Sequence, residues 1–263
     1  MRRVVVTPAG RERYLDILYR HLDKQKTSFD EWILLVNTSV PRDVEYCERL
    51  AATHDWIRTA YANESDPSIG NRNIHKFLNQ FCRDGDAMYL RLDDDVCYLA
   101  PGFVDSMFEF RQKHPEYFLV YANIINNAIL SCIHQELGNF TYHRQCGYEC
   151  MDDVGWKDTF FAPVLHDTFL ENPTDPKWTS FEPRIADKYE RISVNAICWF
   201  GRDIKEPIDQ DEEQWLSVEY PCRIRRHNII NSKALCVHFA FYPQRDELER
   251  IGNRLERYAE LAK

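Results

Sequence analysis

The 263-residue chain has no apolar run longer than a strand, no basic tract and no glycine-rich phosphate loop, and each absence removes a class of protein. A membrane span needs about 20 apolar residues in a row, and none is present. The apolar part of the start, Met1-Arg2-Arg3-Val4-Val5-Val6-Thr7-Pro8, is also too short for a secretory signal. With a net charge of −9 and no basic tract, the chain is a poor partner for nucleic acid. Neither G-x-G-x-x-G after the first strand nor G-x-x-x-x-G-K-[ST] anywhere is found, which disfavours a nicotinamide-binding fold and a P-loop kinase. The nine cysteines are scattered and odd in number, and without a secretory signal they read as reduced thiols in a cytoplasmic setting. His143, Cys146 and Cys150 form the one zinc-like grouping, but their spacing matches no standard ligand pair and no fourth ligand is evident.

What is present is an ordinary globular composition, long enough for one large domain or two small ones. Apolar runs at 3–7, 32–36, 56–61, 87–92, 117–121, 191–200 and 234–241 read as strands. Helices are expected between them, at about 12–21, 41–52, 71–82 and 101–114. Strands alternating with helices predict an α/β fold with a mostly parallel sheet flanked by helices, and such sheets bind ligands at the carboxyl ends of their strands. The segment 131–187 has no clean period but is rich in aromatics, which marks a binding loop. The tail from 246 to 263 reads as one amphipathic helix, suited to packing on the domain or to joining two subunits.

The feature that organises the rest is Asp93-Asp94-Asp95 at the end of the run 87–92, itself interrupted only by Arg91. Two such charges about 5 Å apart repel by roughly 3 kcal/mol at an effective dielectric near 20, so something positive must offset them. A helix cap would suit aspartate, but the next helix start falls later, at Pro101-Gly102-Phe103. Plain exposure to solvent is the other bland reading. A hard divalent cation, Mg²⁺ or Mn²⁺, is the functional one. In an extended chain Asp93 and Asp95 share a face and Asp94 takes the other, so the first two are expected to act together. A second acidic cluster, Asp211-Glu212-Glu213, reads either as an acidic first helical turn or as the source of a carboxylate base. His238, in the middle of the last apolar strand, reads as a core histidine or as a metal ligand.

Taken in order, these pieces resemble glycosyltransferases of the GT-A fold, in particular the inverting family-2 group. The strand and loop at Val4 to Arg11, Asn71-Arg72-Asn73, the D-x-D string Asp93-Asp94-Asp95, and Asp211-Glu212-Glu213-x-Trp215 followed by His238 carry the likeness. The resemblance implies a single GT-A domain over 1–263 with a mixed, mostly parallel, Rossmann-like sheet. It divides the chain into a nucleotide-sugar half at 1–100, an acceptor and catalytic half at 101–245 and a closing helix. It further implies a hexosyltransferase that moves a sugar from a nucleoside diphosphate to an acceptor hydroxyl with inversion. Asp93, Asp95 and His238 would hold Mn²⁺ or Mg²⁺, and Glu212, with Asp211 and Glu213 as rivals, would be the base. Thr7, Pro8, Arg11, Asn37, Arg72, Asp93, Asp94 and Arg245 would contact the donor nucleotide. Many family-2 members have an aspartate where this chain has Asn37. Trp156 and Trp178 would hold the acceptor, and the C-terminal helix offers a dimer contact. The alternatives are a metal-dependent nucleotidyltransferase or phosphohydrolase, and a non-catalytic nucleotide- or sugar-binding module of the same fold.

Overall fold

The computed structural model describes residues 1–63, 66–186 and 188–263. Among the described residues nine strands form one mixed sheet: β1 Arg2–Ala9, β2 Glu31–Val36, β3 Ile57–Ala60, β4 Ala87–Leu92, β5 Val96–Leu99, β6 Val120–Ile125, β7 Arg184–Ala186, β8 Ala196–Phe200 and β9 Asn228–His238. Their order is β3-β2-β1-β4-β8-β6-β9-β5, with β7 on β9. The N-terminal half, β3-β2-β1-β4, is parallel, as the strand and helix alternation predicts. β8 then runs antiparallel between β4 and β6, and β6 pairs with β9 in parallel.

Strands covered on both faces read as continuous apolar runs, and β1 shows why. Val5 packs with Leu34, Leu90 and Phe103 in one core layer, while Val4 and Val6 join Ile33, Phe77 and Tyr89 in the other. A third apolar cluster, with Tyr98, Phe169, Trp178 and Tyr258, lies beyond β5. The helices are α1 Glu12–Asp23, α2 Pro41–Thr53, α3 Ile74–Phe81, α4 Phe103–Lys113, α5 Ala128–Glu136, α6 Phe161–Glu171, α7 Glu212–Gln214, α8 Tyr220–Ile224, α9 Arg245–Arg250 and α10 Arg254–Leu261. A π-helical stretch, Trp215–Glu219, joins α7 to α8. Gly201, after β8, presses on Asp84 so closely that a Cβ would stand 2.0 Å from the Asp84 carbonyl oxygen.

Several expectations need correction here. The last strand starts at Asn228, so His238 ends it rather than sitting in its middle. The predicted irregular stretch 131–187 contains most of α5, all of α6 and β7. The tail is two helices, divided at Gly252, whose φ of +87° is left-handed. Leu248, Tyr258 and Ala262 of that tail are buried in the chain's own third cluster, with Leu255 packed against it, while Ile251 and Leu261 stay exposed. No helix among the described residues is long and apolar enough to cross a membrane.

Candidate functional site

The carboxyl ends of β1, β2 and β4 converge on a cavity of about 620 Å³. Asp93 to Asp95, Arg11, Arg91, Glu212, His238 and Arg245 all line it. The triple aspartate is not extended. Strand β4 stops at Leu92, and the Val96 N–H closes a tight turn on the Asp93 carbonyl at 3.1 Å before β5 begins. That turn cancels the strand alternation, so the expected pairing of Asp93 with Asp95 is replaced by another.

Asp94 and Asp95 act together, on Arg11. Asp94, 4% exposed, accepts from the Gly10 N–H at 3.1 Å and from Arg11 Nε at 3.1 Å, and Arg11 Nη2 reaches it as well. The same Nη2 stands 3.0 Å from Asp95 Oδ2. Burial pushes the Asp94 carboxyl up in spite of Arg11. Burial also works against ionised Asp95, but Arg11, then His238 and Arg245, outweigh it and hold that carboxyl well below the usual carboxylate range. Asp93 faces elsewhere, accepting from Arg91 Nη2 at 3.0 Å and from Asn195 Nδ2 at 3.1 Å.

His238 stands with Nε2 3.5 Å from Asp95 Oδ1 and with Nδ1 donating to the Asn126 carbonyl at 3.1 Å. With Nδ1–H fixed on a backbone carbonyl, Nε2 faces the carboxylate. Burial works against a charged ring, but Asp95 outweighs it, raises the His238 pKa and favours a proton on Nε2, a proton that a cation bound between the two would replace. Two ligands on one cation with bonds of about 2.1 Å stand roughly 3 Å apart, so Asp95 and His238 fit a small divalent ion. Asp93 does not join them. Among the described residues no three His, Cys, Asp or Glu are grouped to hold a metal, which also removes His143, Cys146 and Cys150 as a zinc site. Mg²⁺ and its relatives are commonly held by one or two carboxylates with substrate phosphates completing the shell. The pair therefore fits a cation that arrives with a phosphate ligand, in competition with Arg11 for Asp95.

Arg91 is the residue that sequence reasoning passed over. It is fully enclosed in β4, 3% exposed, and its Nη1 lies 3.5 Å from Glu212 Oε1 while Nε and Nη2 hold Asp93. Nη1 makes no hydrogen bond, and neither does Arg245 Nε. Glu212 is buried at the start of α7, and burial pushes its carboxyl up to about 7, with Arg91 opposing. Asp211 caps α7, accepting from the Gln214 N–H at 3.1 Å, and Arg191 bonds both Asp211 and Glu213. Two of the three candidate bases are thus held in hydrogen bonds, and Glu212, with only the 3.5 Å ion pair to Arg91, is the least engaged.

The remaining expected contacts divide. Pro8, Asn37 and Arg245 line the cavity, but the Asn37 amide is occupied at both ends, by the Gly70 carbonyl at 2.9 Å and by Asn73 Nδ2 at 3.4 Å. Thr7 is buried and accepts from Trp32 Nε1 at 2.9 Å, away from the cavity. Arg72 lines a neighbouring cavity instead. Trp156 lines the main one, whereas Trp178 is wholly buried and donates to the Asn172 carbonyl, so it has no face for a ligand. Asn126, with φ of +61°, is held by Phe239 and Gln244 and so presents its carbonyl to His238. Asparagine tolerates that conformation better than most residues. An unusual Asn123-Ile124-Ile125-Asn126-Asn127 run was the only sequence signal for it.

No family model and no curated protein matches the chain. Among solved structures it is similar to 4-diphosphocytidyl-2C-methyl-D-erythritol synthase from Anaerococcus prevotii. The identity is 12%, the match covers 99% of this chain and 98% of that one, and the TM-score is 0.48. It is also similar to CMP:2-keto-3-deoxy-manno-octonic acid synthetase complexed with CTP, at 12% identity over 90% of each chain with a TM-score of 0.45. Both are named for cytidine-nucleotide products. Neither is a hexosyltransferase, and the hexosyltransferase expectation is corrected on that finding. The α/β fold with a mixed sheet flanked by helices stands on the chain's own strand order and helices.

Proposed function

We propose that the cavity binds a nucleoside triphosphate together with Mg²⁺ or Mn²⁺ and transfers the nucleotidyl group to an acceptor oxygen. The observation that carries this reading is one cavity lined by two arginines with buried N–H groups that make no hydrogen bond, Arg91 Nη1 and Arg245 Nε, and by the Asp95 and His238 pair. Buried donors without a hydrogen bond are costly, and forked guanidinium donors suit phosphate oxygens.

Asp95 and His238 would hold the cation, which when bound neutralises charge gathering on the leaving polyphosphate. Arg91 and Arg245 would donate to the oxygens on which charge develops. Asp93 holds Arg91 in place from below, and Asp94 fixes the Gly10-Arg11 turn. Glu212 would take the acceptor proton.

The test is pyrophosphate release by the full chain with ATP, CTP, GTP and UTP, each with Mg²⁺ or Mn²⁺ and a mixed acceptor pool. Release with at least one triphosphate, reduced on the order of 100-fold or more in Glu212→Gln, supports the reading. Tight nucleotide binding without any release would favour a non-catalytic binding module.

A further inference from the structure

A second cavity of about 640 Å³ adjoins the first and shares Asn71, Arg191, Glu212 and Glu213 with it. Its other walls are Arg72, Asp209, Gln210 and Asp211. Four carboxylates therefore face two guanidinium groups, and one of these, Arg191, is already taken by Asp211 and Glu213. A phosphorylated ligand would meet net negative charge there, and like charges brought together cost several kcal/mol.

Glu212 stands in the wall common to both cavities. It is 7% exposed, and its one charged partner is Arg91 at 3.5 Å. A buried carboxylate held this loosely is out of place in a purely structural role. Its position has a chemical meaning if the two cavities hold the two reactants. A phosphate monoester is already largely ionised near neutral pH, with a second pKa of about 6, and needs no base to attack. An alcohol does need one, and burial lifts the Glu212 carboxyl towards the range where a base works best.

We infer that the second cavity receives the acceptor, and that this acceptor is an uncharged or cationic polyhydroxyl compound reacting through a hydroxyl, not a phosphate ester. The inference rests on the nucleotidyl-transfer reading. In the step, Glu212 accepts the hydroxyl proton and the acceptor oxygen forms a bond to the α-phosphorus of the triphosphate. The bond from that phosphorus to the bridging oxygen breaks, pyrophosphate leaves with its electron pair, and the proton passes from Glu212 to solvent.

Saturation-transfer NMR on the full chain, with glucose, glucosamine and glucose 6-phosphate as probes, tests it. Glucose and glucosamine should give signals, and glucose 6-phosphate should bind at least about tenfold more weakly. Gln210→Trp, which fills the cavity from an exposed position, should abolish the glucose signal, and Asp209→Lys should raise glucose 6-phosphate binding. The inference is overturned if glucose 6-phosphate binds as well as glucose, if glucose binding survives Gln210→Trp, or if no probe binds. The thermal shift that a triphosphate with Mn²⁺ gives the wild-type chain reads the first cavity alone. Its absence would count against the nucleotide reading, and failure of the probes alone would leave that reading in place.

Discussion

Glu212→Gln should make the protein more stable, and only above a certain pH. In the folded chain the Glu212 carboxyl is lifted by burial to about 7 from an ordinary value of 4.5. Below pH 4.5 the side chain is protonated whether the chain is folded or not, and glutamine is a close neutral mimic. Between 4.5 and 7 the folded state keeps a proton that the unfolded state has lost, so wild-type stability falls as pH rises through this window. Above 7 both states are ionised and the full cost is present. A gap of about 2.5 pH units at 1.36 kcal/mol each comes to about 3 kcal/mol. Glutamine escapes that cost, so the variant should be nearly as stable as wild type at pH 4.5 and about 3 kcal/mol more stable at pH 8. For a chain of this size that is a Tm rise of roughly 6–12 °C. Urea titrations of both proteins at pH 4.5, 6, 7 and 8 would measure it. A stability difference that does not change with pH, or one that favours wild type at pH 8, would refute the placement of Glu212 as a buried, weakly compensated base.

Asp94→Asn should destabilise the chain by about 1–3 kcal/mol in urea, because both carboxylate oxygens accept from the Gly10 N–H and Arg11, and an amide nitrogen in place of one oxygen leaves a buried donor without an acceptor. Trp178→Ala should cost about 3–5 kcal/mol, as expected for a large residue removed from a closed core. Trp156→Ala, at a half-buried position in the cavity wall, should change stability by less than about 1 kcal/mol and show its effect in ligand affinity, read by calorimetry.

The strands that build the site were legible because each is a short apolar run. β1, β2 and β4 are the parallel strands whose carboxyl ends meet there. The triple aspartate was legible too, as a cluster that needs positive partners. Which aspartate meets which partner was not, since that depends on a turn closed by the Val96 N–H and not on strand alternation. Arg91 looked like a flaw in an apolar strand. Its partner Glu212 lies more than a hundred residues away, and nothing local announces the pair. The same distance hides the tie between Asn126 and His238. Asp211 and Glu212 are adjacent and alike in sequence. Only the position of Arg191 and the start of α7 make the first a cap and leave the second in the cavity. Trp178 read as a ligand platform because composition does not separate an exposed aromatic from a core one.

The most direct measurement is calorimetric titration of a nucleoside triphosphate into wild type and Asp95→Ala, with and without Mn²⁺. The site described here predicts binding that strengthens with the metal in wild type and loses at least tenfold of that gain in the variant, about 1.4 kcal/mol. Equal affinity in the two proteins, or no dependence on metal in wild type, would contradict a cation held by Asp95 and His238 and with it the proposed chemistry.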